Sequence, residues 1–95
     1  MSTPITTIRN LGPAFAREAE AAGISDAETL QALGAHEAYG RMLDAGTKPH
    51  FIGYYVLHMA LQGRPWNDCK GAEKETLRKQ FDSLRSQRRD VSDSA

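Results

Sequence analysis

The residue types able to carry covalent or metal chemistry are few: His36, His50, His58 and Cys69. His50 and His58 are eight positions apart, where two ligands on one helix face need a separation of about four, and no second cysteine supports Cys69 as a ligand. No metal site is therefore expected. A Cys69 nucleophile with a histidine base is equally unsupported: Asp68 and Glu73, close in sequence, raise rather than lower a thiol pKa, and no oxyanion loop is evident. Cys69 reads as a structural or surface thiol. Tyr54, Tyr55 and Met59 offer the makings of a groove, although such a stripe is more often simple core. The chemistry points to a non-enzymatic protein with no cofactor and no evident small-molecule substrate.

The remaining chemical opportunity is backbone chemistry. Residues 8–33 read as a short helix, a tight turn at Asn10-Leu11-Gly12-Pro13, a helix, Gly23-Ile24 and another helix, an order that looks like a helix-hairpin-helix. In that motif the turn and the following helix N-terminus offer backbone amides to a DNA phosphate. The first amides of a helix lack internal partners and the helix dipole adds positive potential there. Asn10 stands where the motif has its first glycine; asparagine is one of the few other residues that tolerate left-handed backbone. Pro13 removes one donor. The candidate phosphate contacts are Asn10, Leu11 and Gly12 with flanking Arg9 and Arg17, and Lys48 as a third cation if the fold brings it near. Glu18, Glu20 and Glu28 dilute this patch, and the plain alternative is that Gly12 and Pro13 only shape a helix corner.

Glycines at 12, 23, 34, 46 and 63 punctuate the chain at helix-sized intervals, and no window alternates apolar and polar residues as a half-buried strand does. The expected fold is all-α, with five or six short helices. One or two turns are predicted at residues 4–9 and a helix over 13–22 that buries Phe15, Ala16, Ala19 and Ala22. Gly23 should end it with positive φ, letting Ile24 fold back. Ser25 and Glu28 form a capping-box pattern for the helix carrying Leu30 and Leu33. Ala35, Ala38, Tyr39, Met42 and Leu43 make the clearest stripe, and residues 51–61 are apolar nearly all round, so that helix belongs in the centre. Trp66 is expected to plug one end of the core, and a last helix over about 72–86 buries Leu77, Phe81 and Leu84. Residues 87–95 are polar and expected to be disordered, which leaves residues 1–86 as the domain.

Composition sets the outer bounds. At 95 residues, 40% hydrophobic and 25% charged, the chain can bury one core and no more. The formal net charge is zero, so an anionic partner must be met by a local patch. Residues 1–69 carry five Lys/Arg against seven Asp/Glu, and residues 70–95 seven against five. Residues 74–89 hold six basic side chains and two acidic ones, which reads as a solvated helix face. The opening Met1-Ser2-Thr3-Pro4 lacks a secretory pattern, and a lone cysteine suits a reducing, cytoplasmic setting. The longest apolar stretch is far below the roughly 20 residues of a membrane span, and no membrane partner is expected.

The succession Ile8-Arg9-Asn10-Leu11-Gly12-Pro13, Ala22-Gly23-Ile24, Leu33-Gly34-Ala35, Ala38-Tyr39 and Leu61-Gln62-Gly63-Arg64-Pro65-Trp66 resembles the C-terminal domain of the TfoX/Sxy family of DNA-transformation (competence) regulators. The resemblance covers roughly residues 5–84. It implies an all-helical orthogonal bundle similar to SAM-like and helix-hairpin-helix domains. Family members that act in competence carry an additional N-terminal α/β domain, which the 95 residues starting at this point do not contain. Cys69 and Lys70 stand where the family pattern has Leu-Pro after the tryptophan loop. Two functions follow as expectations: an accessory or regulatory protein making weak, non-sequence-specific DNA contacts at the hairpin, or a SAM-like module that binds another regulator or itself through a helical face.

Overall fold

Proline at a first helical position and glycine just past a last one set most of the element boundaries. The computed structural model describes residues 3–94, and the side chains of residues 3–87. A 3-10 turn at Ile5–Thr7 is followed by five α-helices: α1 (Pro13–Ala21), α2 (Ala27–Leu33), α3 (Ala35–Asp44), α4 (Phe51–Leu61) and α5 (Gly71–Ser94), with a second 3-10 turn at Trp66–Asp68. No strand occurs among the described residues, and the fold is all-helical as the periodicity predicts. No helix is long and apolar enough to cross a membrane among the described residues.

Gly23 has φ of +82°, and the Ile24 amide donates to Ala19 O at 2.9 Å while the Gly23 amide donates to Glu20 O at 2.9 Å. This is the Schellman ending predicted for α1, and it drives Ile24 into the core. Gly34, at φ 82° and ψ 162°, lies in a region essentially reserved for glycine and serves as both the end of α2 and the start of α3. The cap of α2 is displaced from the predicted one. Asp26, not Ser25, accepts from the Thr29 amide at 2.8 Å. Glu28 turns away because its carboxylate accepts from the Thr3 amide at 2.8 Å and the Thr3 hydroxyl at 2.6 Å, latching the N-terminal strap onto α2. With the strap held, Ile5 is buried.

The helix α3 packs on α1, α2, α4 and α5, and α4 on α3, α5 and the Trp66–Asp68 turn, so these two helices share the centre. Tyr54, Leu57 and Met59 of α4 are fully enclosed, as are Ala38 and Met42 of α3. On α1 only Ala19 is fully buried, because this helix lies at the edge; Phe15, Ala16 and Ala22 are half-buried. The wholly apolar look of α4 is misleading in one place, since Ile52 is 65% exposed. Trp66 does not plug the core as expected: it is 49% exposed, and Cys69 occupies the inward position of that loop. The final helix also runs past residue 86 to Ser94, through residues expected as a disordered tail. After Gly71 neither glycine nor proline interrupts it, and Lys, Arg, Gln and Glu are good helix formers.

Candidate functional site

The hairpin turn is built by residues 8–13. The Leu11 amide donates to Ile8 O at 3.1 Å, closing a turn whose third residue, Asn10, has φ of +71°. That is the position where left-handed backbone favours glycine or asparagine. Leu11 is 4% exposed and anchors the turn in the core, so its contribution is the placement of its neighbours; its own amide is already engaged. Gly12 caps α1 in extended backbone, a conformation any residue can adopt. The Ala16 amide, donating to Gly12 O at 3.0 Å, is the first of α1 to be paired within the helix. The amides of Ala14 and Phe15 therefore face outward from the helix end.

Arg9, Asn10 and Gly12 are exposed at this turn, and Arg17 is exposed one helical turn after Pro13. Arg17 lines a shallow concavity with Ala14, Glu18, Ala45 and Thr47, and Lys48 lines the adjoining one with Phe15, Glu18 and His50. The loop between α3 and α4 thus brings Lys48 to the α1 side, with Glu18 shared by both hollows. The strain at Asn10 gives a direct check on the turn. Asn10→Val is expected to lower stability by about 1 to 2 kcal/mol, whereas Asn10→Gly should be close to neutral. Equal urea midpoints for the two variants would mean the left-handed turn is not populated.

A second polar centre lies where α3, α4 and α5 meet, with Tyr54 buried, His58 half-buried and His36 and Gln80 exposed, and pairwise sequence spacing does not disclose it. Tyr54 Oη lies 2.7 Å from His36 Nδ1 and 3.4 Å from Gln80 Oε1, and the His58 ring stacks edge-on at 4.6 Å from the Tyr54 ring. Desolvation pushes the Tyr54 phenol up to about 12, so it stays a neutral hydrogen-bonding group. His58 Nε2 is buried with no hydrogen-bond partner among the described residues. Burial, with His36 adding a smaller repulsion and Glu73 opposing, holds His58 below its ordinary value of 6.5. A histidine depressed in the fold takes up its proton more readily when unfolded, so its stabilisation is complete above about 6.5 and is lost as pH falls through the lower folded value. Unfolding midpoints are expected to fall between pH 7 and pH 5.5 in the native chain and to fall less in His58→Gln. Parallel profiles would contradict this placement of His58.

In the sequence Arg64 stands out only as part of Gly63-Arg64-Pro65-Trp66; in the fold it joins three elements. Its guanidinium donates to Glu73 at 2.7 and 2.8 Å, to Asp68 at 2.8 Å and to Gln62 at 2.9 Å. One side chain ties the end of α4, the tryptophan turn and the first turn of α5 together. Cys69, beside this latch, is enclosed; burial first, and then Glu73, push its thiol up and away from thiolate character. Among the described residues no group of three or more His, Cys, Asp or Glu side chains is arranged to hold a metal ion.

The class is thus an all-helical domain centred on α3 and α4, whose turn at residues 8–13, ending at Gly23 and corner at Gly34 fall where the sequence places them. The chain belongs to the TfoX C-terminal domain family, whose sequence pattern matches residues 1–81. No curated protein and no solved structure matches it.

Proposed function

We propose that this domain is a non-enzymatic, competence-related accessory or regulatory module that meets DNA weakly and without reading bases. The observation that carries this reading is the left-handed Asn10 turn, which holds the first amides of α1 outward between exposed Arg9 and Arg17. Backbone amides and two arginines hold a phosphate but distinguish no base pair. With zero net charge and Glu18 nearby, dissociation constants of about 10⁻⁴ to 10⁻⁶ M are expected, weakening with a shallow salt slope. Fluorescence anisotropy with two duplexes of unrelated sequence tests this. Arg9→Glu should weaken both alike; unchanged affinity in that variant overturns the hairpin assignment.

A second reading, a SAM-like protein-interaction module, is favoured by a different observation: Ile52 and Trp66 are large apolar side chains at the surface, 65% and 49% exposed. Neither is near the hairpin turn in sequence, and a phosphate backbone offers them nothing to pack against.

A further inference from the structure

Resting on the interaction reading, we propose that the face formed by α4 and α5 docks an acidic, amphipathic segment of a partner protein. Three cations of α5 lie over aromatic rings: Lys74 Nζ is 5.2 Å from the Tyr55 centroid, Arg78 Cζ 5.1 Å from Phe51 and Arg85 Cζ 5.6 Å from Phe81. At these separations the rings attract the charges and restrain the long side chains. The cations are set four and then seven residues apart, about 6 Å and about 10 Å along the helix. Lys74 and Arg85 have no acidic partner among the described residues, and Arg78 has only an exposed pair with Asp82 at 3.4 Å.

Apolar surface of α4 adjoins these cations, because Ile52 directly follows Phe51, the ring beneath Arg78, and Val56 directly follows Tyr55, the ring beneath Lys74. Ile52 stands one turn before Tyr55 and Val56 on α4, and the turn bearing Trp66 packs at the other end of that helix. Charge and apolar exposure therefore ask for one occupant with two properties. Its carboxylates meet the ordered line of Lys74, Arg78 and Arg85, and its apolar side chains cover Ile52 and Val56. A nucleic-acid backbone satisfies the cations and leaves Ile52 in water. An amphipathic helix with acidic flanks satisfies both, in the manner of helices that lie along an apolar groove.

The probe is a synthetic amphipathic helical peptide with a leucine stripe flanked by glutamates, titrated into the isotopically labelled chain. Its counterparts are the same peptide with glutamines for glutamates, and duplex DNA. The acidic peptide is expected to shift the amides of Ile52, Val56, Lys74, Arg78 and Arg85. Ile52→Asp and Arg85→Glu should each weaken it about tenfold, a loss of about 1.4 kcal/mol, and Arg9→Glu should leave it unchanged. Both altered side chains are exposed, and circular dichroism confirms that helix content is kept. If the glutamine peptide binds these residues as tightly, the acidic specificity is wrong although the interaction reading stands. If no peptide shifts this face, the interaction surface itself is refuted. If DNA shifts the face and the acidic peptide does not, the cations serve nucleic acid.

Discussion

Phe81→Ala is expected to destabilise the domain by about 3 to 5 kcal/mol, a large part of the 5 to 15 kcal/mol typical of a whole domain. Phe81 is where α5 is held to the rest of the molecule. Its ring lies 6.2 Å from Tyr39, 5.7 Å from Phe51 and 5.5 Å from Tyr54, so truncation removes aromatic contacts to both central helices at once. It also takes away the ring beneath Arg85. Leu77 and Leu84 remain to hold α5, and they sit one turn either side of the resulting cavity. Chemical denaturation in urea measures the loss, and a midpoint close to the native one would show that α5 is not docked through this ring.

Leu57→Ala is expected to cost about 2 to 5 kcal/mol. Leu57 is completely enclosed in the middle of α4, the helix that faces α3, α5 and the tryptophan turn, and its neighbours cannot collapse without shifting a packed element. The control is Gln31→Ala on the exposed side of α2, which should stay within about 0.5 kcal/mol of the native chain. Equal midpoints for Leu57→Ala and Gln31→Ala would mean that α4 is not the core.

What the sequence discloses, and what it hides, follows the range of the interactions involved. Gly23, Asn10 and Pro13 act within a few residues of themselves, and the turn and helix ends they imply are found in place. The α2 cap lies one residue beyond the Ser25 expected from the capping-box pattern because Ser25 and Asp26 are both good caps, and the choice is decided by Thr3, which engages Glu28 from 25 positions away. Ring size alone points Trp66 into the core; the Arg64 latch fixes the loop so that Cys69 goes inside instead. The pairing of His36 with Tyr54 and the stacking of Lys74, Arg78 and Arg85 on rings of α4 and α5 join residues with no local signature. The basic run accordingly reads in sequence as solvated charge, whereas in the fold three of its members form an ordered line.

The hairpin and the α4–α5 face are built from different elements, which lets each be tested without the other. Arg9 and Arg17 belong to the turn and α1, while Lys74, Arg78 and Arg85 belong to α5. The central claim is that the turn at residues 10–13 meets DNA phosphates through its backbone. A backbone-amide NMR titration of the whole chain with duplex DNA at low salt reads this directly. The expected result is progressive shifts centred on Arg9, Asn10, Gly12, Ala14 and Phe15, the same for unrelated duplexes and reversed by added salt. No shifts, or shifts confined to residues 85–95, would contradict it and leave the hairpin as a corner of the fold.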